Sequence, residues 1–182
     1  MTDDRPWYRE PESFIAVAAL IVSVTAVVVG VYEAALQRKH DIAEVWPHLE
    51  LSTWLNDSTA TFRIDNTGLG PGLVKFIDVR VDGRAQHTWN EALRTLYGHE
   101  PPPHSSATAA EHALRPGDQS ALVTIPIRDL RTDVWGWLGR LSVRVCYKSV
   151  FDQYWTVTDT LGKADRWRDA GSCPPQPEGT DF

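Results

Sequence analysis

Between Phe14 and Tyr32 the chain reads FIAVAALIVSVTAVVVGVY, without a single charged residue. Nineteen residues at about 1.5 Å of rise cover about 28 Å, close to the hydrocarbon thickness of a bilayer. The small polar side chains within it, Ser23 and Thr25, can bond back to carbonyls of their own helix. A strand this long, apolar on both faces, would leave unpaired edges, so the pattern predicts a transmembrane helix over 14–32. Tyr32 sits where an interfacial aromatic is expected, with Trp7 and Tyr8 near the other boundary. The preceding MTDDRPWYREPE is mixed in charge and slightly acidic, and Val31-Tyr32-Glu33 is no small-x-small site. Both features favour a retained anchor over a cleaved signal peptide. A core helix so uniformly apolar would also be unusual in so small a domain. Residues 1–13 read as a polar tail. Residues 33–45, with EAALQRKHDIAE made mostly of helix formers, read as a juxtamembrane helix that Pro47 ends.

Beyond Pro47 the period changes from helical to two. Leu49, Leu51, Thr53 and Leu55 alternate with His48, Glu50, Ser52 and Trp54. Ala60, Phe62 and Ile64 alternate with Thr61, Arg63 and Asp65. Such strands have one buried and one wet face. Asn56-Asp57-Ser58 reads as a turn and 66–72 as a loop. Val74–Val81 reads as a strand closed by the hairpin signal Asp82-Gly83. Thr88-Trp89-Asn90-Glu91 fits a capping box and predicts a short helix over Trp89–Leu96. His99–Ala109, with its three prolines, reads as a loop. Ala121–Ile127 is a strand after the Pro116-Gly117-Asp118 turn, and Asp129–Gly139 reads as irregular or briefly helical. Leu141, Val143, Val145 and Tyr147 alternate with Ser142, Arg144, Cys146 and Lys148, and Tyr154–Thr158 returns as the partner strand. Six or seven short strands at this spacing predict an antiparallel β-sandwich over 46–162 with a short helix insertion. The proline- and glycine-bearing stretch 163–182 reads as a disordered tail.

The run FRIDNTGLGPGLVKFIDVRVDG, followed later by LRPGDQSALVTI, resembles bacterial immunoglobulin-like modules. The apolar span followed by VWPHLELS, NTGLGPG and VCYKSVFDQYW is similar to uncharacterised bacterial single-pass membrane proteins with a C-terminal immunoglobulin-like domain. That likeness covers most of the chain and implies an architecture without a mechanism. Those proteins are richer in cysteine around the last hairpin, where this chain has Lys148 and Tyr154.

Composition narrows the function classes. A formal charge of −6 argues against a general nucleic-acid-binding role. Arg5 and Arg9 precede the span, and Arg38, Lys39 and His40 follow it, so the basic count is balanced. The tighter second cluster leans toward a cytoplasmic domain at the inner membrane, with a periplasmic domain as the alternative. Ala16, Ala19, Ser23, Ala26 and Gly30 fall at steps of three and four on one helix face, which would let a second helix approach.

The candidate chemistry is sparse. Gly68-Leu69-Gly70-Pro71-Gly72 is a glycine-rich loop, but a strand follows it where a phosphate loop needs a helix and a Gly-Lys-Ser/Thr. His87, His99, His104 and His112 lack the close spacing of a structural metal site. Cys146 shares a strand face with Arg144 and Lys148, which would favour a thiolate. An inert thiol and a disulfide to Cys173 are the other readings. Asp78 and Asp82 share a strand face without a visible pocket. Trp135, Trp137, Phe151 and Tyr154, with Trp155 turned to the core, could form a partner surface. No cofactor motif or catalytic triad order is present. The reading is a membrane-anchored, non-enzymatic binding or accessory module with lipid and a protein partner, or itself, as contacts. The alternatives are a thiol enzyme or redox sensor using Cys146, and a ligand or metal sensor using the His99–His112 loop.

Overall fold

The computed structural model describes residues 11–126, 136, 139–160 and 167–182. The chain divides into two units, of which the described part of the first is helical and the second, Glu44–Phe182, is a β domain. Helix α1 runs unbroken over Pro11–Glu44, so the predicted anchor and juxtamembrane helix are one element. It is long and apolar enough to cross a membrane, and its residues 14–32 are all exposed. Ser23 Oγ and Thr25 Oγ1 donate to the carbonyls of Ala19 and Ile21, each at 2.8 Å, so neither hydroxyl needs a partner outside the helix.

The domain contains β1 (Leu49–Leu55), β2 (Thr59–Asn66), β3 (Gly72–Val81), β4 (Arg84–Gln86), α2 (Trp89–Tyr97), β5 (Ser105–Ser106), β6 (Ala113–Leu114), β7 (Gln119–Pro126), β8 (Leu141–Lys148), β9 (Tyr154–Thr160) and β10 (Arg168–Ala170). One sheet has the order β1-β2-β7-β5. The other has the order β10-β9-β8-β3-β4, with β6 on β3. All these pairs are antiparallel. With β1, β2, β3, β4, β5, β7, β8 and β9 as strands A, B, C, C′, D, E, F and G, the sheets are A-B-E-D and G-F-C-C′. That is the immunoglobulin-like arrangement. The period-two pattern explains the core. Ala60, Phe62 and Ile64 of β2, Ile77, Val79 and Val81 of β3, and Leu141, Val143, Val145 and Tyr147 of β8 all point inward and are buried.

The local signals act as the residues predict. Asp82 and Gly83 both have positive φ, 50° and 78°, as a two-residue hairpin requires. Thr88 caps α2 by accepting from Glu91 N, while Glu91 Oε2 accepts from His87 N rather than from Thr88. Trp89, Ala92, Leu93 and Leu96 form the buried stripe of α2. The 99–109 loop contributes one short strand, β5, to the first sheet.

The largest departure concerns the predicted disordered tail, since residues 167–182 are built into the domain. β10 pairs with β9, Cys173 joins Cys146 on β8, and Gln176 bonds the edge of β3. Asp181 N donates to His87 O at 3.0 Å, and the Phe182 ring packs edge-on against Trp89 at 5.4 Å, 1% exposed. The segment is thus a strap across the outer face of the G-F-C-C′ sheet. Its prolines prevent regular pairing, which is why its composition resembled disorder.

Candidate interaction surface

β1, β3 and β9 begin, and β2 and β8 end, at one end of the sandwich. The 45–48 segment, the 67–71 loop and the 149–153 turn therefore share that end. Asn66, 1% exposed, organises it. Its Oδ1 accepts from Gly68 N at 3.0 Å and lies 3.4 Å from His48 N. Its Nδ2 donates to Gly70 O and Leu114 O, both at 2.9 Å. The Trp46 carbonyl accepts from Leu69 N and Gly70 N, and the His48 carbonyl from Thr67 N. The two chain segments touch backbone to backbone. A Cβ on Gly70 would stand 1.8 Å from Val45 O, and one on Gly68 would stand 2.2 Å from His48 N. The glycine-rich loop is therefore a close-approach device, and no helix N-terminus follows it to receive phosphate.

This scaffolding leaves apolar side chains exposed. Leu69 is 70% exposed, Val150 55%, Phe151 41% and Trp46 38%. Ser149, 1% exposed, shapes the turn that carries two of them, its Oγ accepting from Phe151 N and Gln153 N. Behind Trp46 lies an aromatic stack. Trp167 meets Trp46 edge-on at 5.9 Å and stacks on Trp155 at 6.1 Å. The Tyr147 hydroxyl accepts from Trp167 Nε1 at 2.8 Å and from Leu49 N at 3.2 Å. Burial pushes the Tyr147 phenol above its ordinary value, with these two donors partly opposing it.

Of the predicted partner surface, Phe151 and Tyr154 lie at this end. Tyr154 is half-buried, with Lys148 Nζ 6.0 Å above its ring. Trp135 and Trp137 lie outside the described residues, as does most of the Asp129–Gly139 stretch. Trp155 faces the core, 4% exposed. Ala16, Ala19, Ser23, Ala26 and Gly30 all lie exposed on α1.

Cys146 and Cys173 form a disulfide with Cα atoms 5.6 Å apart, so Cys146 offers no thiolate. Arg144 and Lys148 share its strand face as predicted, but each has a carboxylate partner, Asp78 and Asp152. Asp78 and Asp82 are ion-paired rather than paired with each other. Asp78 holds Arg80 and Arg144, and Asp82 holds Arg140 at 2.6 Å. The hydrogen bond from Arg140 lowers the Asp82 carboxyl below its ordinary range. His99, His104 and His112 each turn Nδ1 to a backbone carbonyl one or two residues away. No group of three or more potential ligands is arranged around a metal position among the described residues.

The strap and the exposed Leu69 and Val150 escaped sequence reasoning. A signal for Leu69 was present, since an apolar residue flanked by two glycines in a loop has no strand face to hide on. Comparison with protein-family models, curated proteins and solved structures finds no match.

Proposed function

We propose that this chain is a membrane-anchored, non-enzymatic binding module that engages a protein partner through the end of the sandwich carrying Trp46, Leu69, Val150 and Phe151. The observation that carries the reading is that these apolar side chains are exposed on a backbone fixed by Asn66 and Ser149. Rigid exposed apolar residues are the usual makings of an interface core. The long apolar helix supports anchoring in a bilayer. Asp78 and Asp82 are ion-paired, Cys146 and Cys173 are bonded to each other, and His99, His104 and His112 turn Nδ1 to backbone carbonyls, so each of these candidates for chemistry is otherwise engaged.

The disulfide bears on the side of the membrane. Structural disulfides persist in oxidising compartments, so it favours a domain outside the cytoplasm at the inner membrane. That outweighs the lean given by Arg38-Lys39-His40, where the basic count was balanced. A thiol enzyme or redox sensor on Cys146 has no free thiol to work with while this bond is closed. Self-association through the Ala16–Gly30 stripe would add avidity to partner binding.

The test is site-specific photocrosslinking of the full chain in its own membrane, with the probe at position 69 or, as a control, at Asp57 in the β1–β2 turn. A discrete adduct from position 69, absent from position 57 and lost in Phe151→Ser, supports the reading. Equal adducts from both positions overturn it. Alkaline phosphatase fused after Phe182 reads the side, and an inactive fusion beside an active cytoplasmic reporter overturns the orientation.

A further inference from the structure

The outer face of the G-F-C-C′ sheet carries charge that the reading above does not use. Asp78 and Arg80 on β3, Ser142 and Arg144 on β8, and Thr158 on β9 line one shallow depression. Register places them together, since Arg80 lies opposite Ser142, Asp78 opposite Arg144, and Arg144 opposite Thr158. Arg80 Nε and Arg144 Nη2 donate to the same oxygen, Asp78 Oδ2, at 2.8 and 3.0 Å. One carboxylate, its side chain 11% exposed, therefore holds two guanidiniums side by side. The Arg144 guanidinium carbon also lies 5.6 Å from the centroid of the Phe76 ring, within reach of a cation–π contact.

The charges do not balance. Among the described residues that line the depression, two cations share one anion, an excess of one positive charge in a chain whose formal charge is −6. Each guanidinium has five N–H donors, and Asp78 engages one from each. The two arginine side chains are 47% and 44% exposed, so the remaining donors reach solvent. Ser142 and Thr158 add hydroxyl donors from neighbouring strands. All of these side chains stand on paired strands rather than on loops, so the donors are pre-positioned.

We propose that Arg80, Arg144, Ser142 and Thr158 form a binding site for a phosphate group. The four side chains line one depression from three strands, and a phosphate, with more acceptor oxygens than a carboxylate, can meet more of their donors. Asp78 is not a ligand but the positioning residue that orients both arginines. The site is independent of the apolar end proposed for a protein partner.

The experiment uses the full chain in maltoside micelles, which contain no phosphorus. Inorganic phosphate is titrated at constant ionic strength while the arginine Nε–H resonances are followed by NMR. Saturable shifts confined to Arg80 and Arg144 are expected, with acetate at least about tenfold weaker. Arg144→Gln should weaken binding about tenfold or more, the loss expected for one charge-assisted contact. Thr158→Val should weaken it several-fold without disturbing the ion cluster, which covers the case in which Arg144→Gln misfolds. Arg94→Gln, which changes charge equally on α2, should bind as the parent chain does. A parallel titration with glycerophosphoglycerol distinguishes a lipid-headgroup diester from a free phosphate, and saturable binding of either supports the site. Binding equal for acetate and phosphate, binding unchanged in Thr158→Val, or no saturable shift with either phosphate probe overturns it.

Discussion

The side chain of Gln176 completes the hydrogen bonding of Ile77, with Oε1 accepting from Ile77 N at 2.9 Å and Nε2 donating to Ile77 O at 3.2 Å. Ile77 lies between the stretch of β3 paired with β6, at Gly72 and Leu73, and the stretch paired with β4, at Val79–Val81. Both polar groups of Ile77 face that gap. An amide side chain has one donor and one acceptor in the geometry of a peptide group, so Gln176 takes the place of a strand residue. Its Nε2 also donates to Thr180 Oγ1 at 2.8 Å, which ties this substitute strand to the end of the strap.

Gln176→Ala should therefore destabilise the domain by about 1–3 kcal/mol, since it leaves a donor and an acceptor unmet beneath the strap. Gln176→Glu should not restore stability, because a carboxylate can accept from Ile77 N but cannot donate to Ile77 O. Chemical denaturation of the two variants measures this, and amide exchange at Ile77 localises it. Exchange at Ile77 as slow in Gln176→Ala as in the parent would refute the role.

Cys146 and Cys173 are 27 positions apart, which makes their bond a closure of moderate length. Chain-entropy reasoning gives such a loop about 3–4 kcal/mol of stabilisation. Replacing both cysteines by alanine should lower stability by about that amount. The strap should then exchange faster at Asp181 and Ala110, whose backbone groups bond His87 and Phe182. Loss of stability without faster exchange there would mean that the strap holds without the disulfide.

How much of this was legible beforehand follows from the range of each interaction. The α1 span, the β8 alternation, the Asp82-Gly83 hairpin and the Thr88 cap are set by neighbours within a few residues, and a pattern reader sees them. The strap is different. Pro174, Pro175 and Pro177 break every period, and its attachments reach Cys146, Ile77 and His87, far away in the sequence. The exposed end was half legible. Phe151 sits in a recognisable turn and Tyr154 opens the strand that follows it, whereas the placement of Leu69 depends on Asn66 binding two distant segments. The loop around Gly68 and Gly70 resembled a turn, and only the docked 45–48 segment shows why those positions tolerate no side chain.

Gly70→Ala should be among the most damaging single-methyl changes in the chain. The new Cβ would meet the backbone oxygen and carbonyl carbon of Val45 at 1.8 and 2.3 Å, and backbone cannot rotate away as a side chain can. The loop must separate from the 45–48 segment, at a cost of about 3 kcal/mol or more. Gly30→Ala is the matched control, since nothing lies within 4 Å of its added methyl. Thermal unfolding of the β domain should shift in the first variant and not in the second.

Tyr147 gives the domain a dependence on alkaline pH. Its hydroxyl accepts from Trp167 Nε1 and Leu49 N, and burial raises its folded pKa above the ordinary value of 10.0. A group whose folded pKa is raised contributes stability that is fully present below its unfolded pKa. That contribution is lost as pH climbs from the unfolded value through the folded one. Tyr147→Phe removes the acceptor for two donors, so it should cost about 1–3 kcal/mol at neutral pH. The variant cannot ionise at this position. The parent's advantage should therefore shrink above about pH 10, the ordinary tyrosine range. Lys148, whose pKa is raised chiefly by its hydrogen bond to Asp152, titrates in both chains and cancels in the difference. Urea denaturation of both chains from pH 7 to 11 measures the gap. A gap that stays constant across that range would show that Tyr147 does not control the alkaline limb, whatever the hydroxyl contributes at neutral pH.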